Sequence, residues 1–221
     1  LLSDLKKFNF YEKIIITTNI KENLDSLENF KKPHLKIITN DTPKGFGENH
    51  NFAYKSCNTK YFLILNPDVR INNLDINNLL SIFNYEKEVY VVSPTAEDPK
   101  GVIQDNARIF PKFYDPFLRI FKKNIDYVRQ GNYQEVDWVS GMFMLFETKK
   151  FSELKGFDEN FFLYYEDVDI CKRIKLFGGK TFISNIEKVI HTGQKSSHTN
   201  IKYSLIHIKS LLRYHFKNYS N

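Results

Sequence analysis

Two adjacent carboxylates, Glu166 and Asp167, follow an apolar run, Phe161-Phe-Leu-Tyr-Tyr165. That run is too apolar for a solvated loop and predicts a segment laid against a core. Beyond it Val168, Ile170, Cys171, Ile174 and Leu176 recur at helical spacing, and Gly178-Gly179 ends the helix. Lys172, Arg173 and Lys175 fall in its latter half, where cations suit the helix dipole. The two acids thus stand at a helix start behind a wall of rings. A carboxylate pinned in partly apolar surroundings is how a protein makes a general base or a metal ligand. The structural alternative is capping, since acids at a helix N-terminus engage backbone amides. Asp169 fits capping or a supporting role best.

Leu65-Asn-Pro-Asp-Val69 places a carboxylate, Asp68, where a strand stops. Open α/β sheets bind ligands at that edge, and Asp68 could hold a divalent cation that grips a diphosphate. An Asx-type turn closing the strand is the alternative. Gly45-Phe-Gly-Glu-Asn-His-Asn51 is a glycine-flanked turn into a helix. It lacks both the three-glycine dinucleotide spacing and the Walker lysine, so neither phosphate-cradle motif applies. Its glycines could let backbone approach a base or sugar, or it is a plain turn capped by Asn49. His191 ends an apolar stretch before Thr192-Gly193, either as a structural imidazole or as a metal ligand. Paired with Asp68 it would make a mixed nitrogen–oxygen site, more tolerant of Mn²⁺ than an all-oxygen cage.

Positioning these groups takes an ordered domain, and the composition supplies one. The 221 residues are 42% hydrophobic and 15% aromatic, which argues for a substantial core and against disorder. No run reaches the length of a membrane span, and none reads as a signal peptide. Cys57 and Cys171 match neither a metal motif nor a disulfide framework, which favours a reducing cytoplasmic setting. The net charge of +6 is spread among interleaved acids and bases. That pattern points to an anionic small molecule or membrane surface and speaks against nucleic acid.

Read in order, the chain alternates helices over 1–8, 22–30, 49–57 and 74–83 with strands over 14–18, 35–39, 61–65 and 89–93. This predicts an α/β fold with a mostly parallel sheet. Proline-broken, irregular sequence spans 94–135. A strand over 136–146 wraps Ser140-Gly141, the carboxylate-bearing helix comes next, and short strands lie at 181–184 and 189–191. The helix over 201–217 carries Lys202, Lys209, Arg213 and Lys217 on one face and Ile201, Leu205, Ile208 and Leu212 on another. Such a helix either lies on an anionic bilayer or packs on the domain with a solvated basic face. A helix opening an α/β domain usually follows a strand, so an earlier strand, absent from this chain, is expected in the natural protein.

Several motifs occur together: Gly45-Phe-Gly-x-x-His-Asn51, Leu65-Asn-Pro-Asp-Val69, Gly101-x-x-Gln104-x-x-x-Arg108-x-x-Pro111 and Val136-Asp-Trp-Val-Ser-Gly141. Gly156-Phe-Asp-Glu-x-Phe-Phe-x-Tyr-x-Glu-Asp-x-Asp169, His191 and Ser210-Leu-Leu-Arg-Tyr214 complete the set. In order and spacing this resembles the inverting glycosyltransferases of family 2, in particular the rhamnosyltransferase-like branch of bacterial surface-polysaccharide synthesis. The resemblance implies a GT-A fold over 1–200, with a nucleotide-sugar half at 1–93, an acceptor half at 94–200 and an amphipathic helix at 201–221. It implies Asp167 as the general base and Asp68 with His191 on a divalent metal, Mg²⁺ or Mn²⁺. Asn19, Gly45, Asn51, Asn66 and Asp68 would contact the donor, and Arg108, Trp138, Ser140, Gly141 and Glu166 the substrate. Asn66 stands where the family's Asp-x-Asp has its first acid. The implied donor is dTDP-rhamnose, with UDP-sugars as alternatives carrying galactofuranose, glucose or another hexose. The implied acceptor is a lipid-linked glycan, met by a cytoplasmic protein peripheral to the inner face of the membrane. A degenerate domain that only binds nucleotide sugar or glycan is the reading from a different class.

Overall fold

The structure, a computed structural model, describes residues 1–5, 11–20, 35–113, 129–193 and 201–219. The helix expected over 22–30 lies outside the described residues. A short helix α1 (Leu2–Leu5) precedes β1 (Ile14–Thr18), which pairs in parallel with β2 (Leu35–Thr39) as a two-stranded sheet. After α2 (Phe46–Tyr54) come β3 (Tyr61–Leu65), β4 (Val69–Arg70), α3 (Ile76–Tyr85) and β5 (Val89–Glu97). The next stretch adds β6 (Ala107–Arg108), β7 (Tyr133–Val136), β8 (Trp138–Val139), β9 (Phe143–Glu147) and α4 (Thr148–Glu153). Then follow α5 (Glu166–Leu176), β10 (Lys180–His191) and α6 (Ile201–Phe216).

The central sheet runs β3-β9-β5-β10-β4, with β7 also on β10. It is α/β and mixed: β5 and β10 are parallel, while β3/β9, β5/β9, β10/β4 and β10/β7 are antiparallel. β5 lies in the middle, and eight of its nine residues are buried. Its β-branched content suits a strand covered on both faces. On one face α3 sets Ile76, Leu79 and Ile82 against Val92, Leu145 and Phe182. Asp75 caps that helix by accepting from the Asn77 amide at 2.9 Å. On the other face Ile170, Cys171 and Ile174 of α5 join Phe146, Phe151 and Ile183.

Two strand expectations change. The single strand expected over 136–146 is three pieces: β7 ends at Val136 on β10, β8 turns to pair with β6, a pairing the Ser140 amide extends by donating to the Asn106 carbonyl, and β9 begins at Phe143. β8 therefore lies outside the central sheet, which β7 joins through β10 and β9 through β3 and β5. Conversely, the two short strands at 181–184 and 189–191 are one, β10, whose register slips between Ser184 and Lys188. A bulge hides that continuity by shifting the alternation of inward side chains.

α6 docks by the face opposite to its apolar stripe. Ser210 and Tyr214 are buried, and Ser210 Oγ donates to the Leu163 carbonyl. Lys217, grouped in sequence with the basic face, instead pairs with Asp158 and with the fully buried Asp169. Arg173 and Tyr219 also donate to Asp169, which is why that acid supports the fold.

Candidate active site

β3 stops at Leu65, and the Asn66 amide donates to the Met142 carbonyl at 2.9 Å. Pro67 cannot extend the ladder, and the Asn66 carbonyl closes a turn by accepting from Val69. The chain then runs antiparallel to the end of β10, with Val69 opposite His191. This brings Asp68 Oδ2 to 3.4 Å from His191 Nε2. The backbone carbonyl of Asp68 accepts from both the amide and the hydroxyl of Thr192, which fixes the turn.

His191 is held by a residue 87 positions earlier. Its Nδ1 lies 2.8 Å from Gln104 Oε1, and Gln104 Nε2 donates to the His191 carbonyl at 2.8 Å. The second bond sets the amide's orientation, so Oε1 must accept and Nδ1 must carry the proton. In the neutral ring Nε2 then carries the lone pair, and it faces Asp68. Gly193 completes the arrangement, since a Cβ there would lie 2.4 Å from the imidazole Cε1. Asp68 Oδ1 is buried without a hydrogen-bond partner. An orphaned carboxylate oxygen beside an unprotonated imidazole nitrogen fits a divalent cation. Among the described residues no third His, Cys, Asp or Glu joins them. Two protein ligands suit a Mg²⁺ or Mn²⁺ whose other positions are filled by diphosphate oxygens and water.

Asp167 sits at the start of α5, after Tyr164 and Tyr165, whose φ angles are 67° and 68°. Two consecutive non-glycine residues in the left-handed region cost about 1–3 kcal/mol each and persist only when their surroundings hold them. The holding groups are on α6: His207 packs on both tyrosine rings, and Tyr214 packs on Tyr165. The strained turn points the carboxylate of Asp167 inward, where Oδ2 accepts from the Gly141 amide at 3.0 Å. Oδ1 accepts from the Val168 amide at 2.8 Å. Burial raises the Asp167 carboxyl above the ordinary range, opposed by those amides and by the charge of Arg108. Glu166 is more deeply buried, and its Oε2 has no partner. Burial and the neighbouring Asp167 charge push it well up. The two amides aimed at Asp167 favour its charged form, whereas Glu166 Oε2 has no such partner.

The two clusters are connected through neighbouring residues of the chain. Met142, which takes the Asn66 amide, is the chain neighbour of Gly141, which gives its amide to Asp167. Gln104 and Arg108 come from one stretch, linking His191 to the charge felt by Asp167. Arg108 pairs with Asp105 and lies 5.6 Å from the ring of Trp138. Trp138 is buried and donates Nε1 to the Ile109 carbonyl, forming a wall. A Cβ on Gly141 would press on the Phe46 ring at 3.1 Å and lie 3.6 Å from Asp167 Cβ, so the absence of a side chain keeps this floor open.

Other candidates for donor contact are engaged by protein. Asn19 Oδ1 accepts from the Lys44 amide and from Asn40, while its Nδ2 donates to the Lys44 carbonyl, so it ties down the loop before α2. Gly45 packs on the backbone of Phe162, where a Cβ would meet the carbonyl at 2.9 Å. Asn51 grips both the amide and the carbonyl of Phe157. His50 stacks its edge on Phe46, and burial pushes its imidazole down to about 4, so it is neutral at pH 7. Sequence reasoning missed Gln104 and Asn106 as site-building groups. Buried Asn106 accepts from the Ala96 amide and donates to the Pro94 carbonyl. The available signal was the spacing of Gln104 to Arg108 within one motif.

A family model described as Glycosyl transferase family 2 matches residues 16–154. The rhamnosyltransferase WbbL of Escherichia coli K12 is 30% identical over 187 residues, 77% of this chain and 69% of that protein. An N-acetylglucosaminyl-diphospho-decaprenol L-rhamnosyltransferase of Mycobacterium tuberculosis is 23% identical over 165 residues, 68% of this chain. This chain spans only 53% of that mycobacterial relative. Among solved structures, the Pyrobaculum calidifontis mannosyltransferase PcManGT, in complex with GDP-Man and Mn²⁺, superposes with a TM-score of 0.65. It is 11% identical, over 99% of this chain and 60% of that one. GalNAc-T7 with UDP, GalNAc and Mn²⁺ also gives 0.65, at 15% identity, over 91% of this chain and 41% of that one. At these identities the structural likeness establishes the fold, GT-A, and nothing finer.

Proposed function

The chain belongs to glycosyl transferase family 2, and from that premise we propose that it moves rhamnose from dTDP-rhamnose to a hydroxyl of a lipid-linked glycan acceptor, inverting the anomeric centre. The coarser part is plain: this is a glycosyltransferase of polysaccharide synthesis. The donor, the lipid on the acceptor and the stereochemical course are the proposal. The names of the two rhamnosyltransferase relatives support the sugar, and the decaprenol of the mycobacterial name supports the lipid. A site facing the cytoplasm at the membrane's inner side follows from that acceptor.

One observation carries the mechanism: a single desolvated carboxylate, Asp167, is held by the Gly141 and Val168 amides, near the edge where Asp68 and His191 meet. Asp167 takes the proton of the attacking hydroxyl as its oxygen bonds to the anomeric carbon. Its raised affinity for a proton brings it closer to the operating pH than a solvated aspartate would be. Asp68 and His191 would hold a divalent cation, whose chemistry is to neutralise charge on the departing diphosphate. Trp138 and Arg108 wall the acceptor side and limit water, which would otherwise compete for the sugar.

Asn66 favours a second reading, a binder of nucleotide sugar without turnover, because an amide there supplies no negative charge for a metal. The purified chain incubated with a panel of nucleotide sugars and a polyprenyl-diphosphate-linked sugar separates the two. Transfer from dTDP-rhamnose with inverted configuration, read by NMR, supports the transferase. Binding without transfer or hydrolysis from any donor leaves the binder.

A further inference from the structure

Ile201, Leu205, Ile208, Leu212 and Phe216 of α6 are all exposed, from 42% at Leu212 to 81% at Ile201. At roughly 100° per residue they share an arc of about 80° on one side of the helix. Lys209 and Arg213 lie beside that stripe, also exposed. The opposite face is committed to the domain through Ser210, Tyr214 and Lys217. The helix contains no Asp or Glu. Near its C-terminal end a shallow depression of about 420 Å³ is lined by Leu212 and Phe216 together with Lys209, Arg213, Lys217 and Asp158. An apolar floor rimmed by cations matches an acyl chain below a phosphate headgroup.

We propose that α6 docks this protein on an anionic lipid bilayer, with the stripe in the boundary between headgroups and acyl chains and with Lys209 and Arg213 on lipid phosphates. A second copy is a poor occupant, since two acid-free helices on chains of net charge +6 would bring like charges together. An anionic bilayer complements the cations and covers the apolar side chains in one contact. The geometry also says where the site would stand. The inner face of α6 holds Leu163, Tyr164 and Tyr165, immediately before Glu166 and Asp167. Docking would therefore keep the catalytic turn next to the surface from which a lipid-linked acceptor projects. The docking does not depend on the transferase reading, and vesicle binding is measured without any sugar transfer, so either can fail alone.

The test is flotation of the full chain with vesicles of phosphatidylcholine, with and without phosphatidylglycerol. The protein should float with the anionic vesicles and only weakly with the neutral ones. Lys209→Gln with Arg213→Gln should weaken anionic binding roughly thirtyfold, at about fivefold for each cation near such a surface. Leu205→Gln with Ile208→Gln should weaken it at least about tenfold, with an unchanged melting temperature. Failure of the unaltered chain to float, or flotation of both double variants equal to that of the unaltered chain, overturns the proposal. So does a dimer in solution that Leu205→Gln with Ile208→Gln converts to monomer without any effect on vesicle binding.

Discussion

Replacing Gln104 by Met keeps the volume of the side chain and removes both of its hydrogen bonds to His191. The structure gives those bonds as 2.8 Å from Oε1 to Nδ1 and 2.8 Å from Nε2 to the His191 carbonyl. At about 1 kcal/mol each, their loss amounts to about 2 kcal/mol, a factor of roughly thirty. The penalty falls on the cation, because the unprotonated Nε2 is fixed only while Oε1 takes the Nδ1 proton. Removing an outer partner of a ligating histidine elsewhere costs about 10–100-fold in metal affinity, the same range. Titration calorimetry of Mn²⁺ in the presence of a nucleoside diphosphate reads this directly, and nitrogen-15 shifts of His191 report the tautomer. Mn²⁺ affinity in Gln104→Met equal to that of the unaltered protein, or a His191 ring with its proton on Nε2, would refute the reasoning.

Other consequences concern the frame that holds the site. Phe151 is fully buried, with ring centroids 4.8–5.6 Å from Tyr54, Phe62, Phe146 and Phe157. Phe151→Ala should lower unfolding stability by about 3–5 kcal/mol in urea denaturation, and a loss under about 1 kcal/mol would contradict this packing. Asp4 is buried against Arg70, whose guanidinium holds the carboxyl down at about 2. Because the folded value is depressed, this contribution is present above pH 4 and fades as the pH falls toward 2. The stability gap between the unaltered protein and Asp4→Asn should therefore shrink between pH 5 and pH 2, and a constant gap would assign Asp4 another role.

Much of the scaffold was legible because its signals are local. Ile14–Thr18, Leu35–Thr39 and Tyr61–Leu65 are short β-branched or aromatic runs with polar ends, and the structure places strands at those residues. The helix carrying Glu166 and Asp167 was legible from its apolar spacing and its terminal glycines. What escaped depends on distant partners. β8 is drawn out of the central sheet by pairing with Ala107–Arg108, and His191 is clamped by Gln104, both in sequence that reads as irregular. Asn51 sits in a turn motif that suggests ligand contact, yet its partner is the backbone of Phe157, 106 residues on. Periodicity also could not orient α6. A stripe of Ile and Leu ordinarily faces the core, and here a network around Asp169 holds the opposite face instead.

The central claim is that Asp167 removes the acceptor proton and does not itself hold the donor. The measurement that tests it is Asp167→Asn, with the donor's dissociation constant and the single-turnover rate determined side by side. The asparagine Oδ1 can still accept from the Gly141 amide, so the fold around the site should persist. The expected result is a rate lowered by about 10²–10⁴-fold with donor affinity within about threefold of the unaltered protein. A variant that keeps its rate, or one whose rate and donor affinity fall together, contradicts the account.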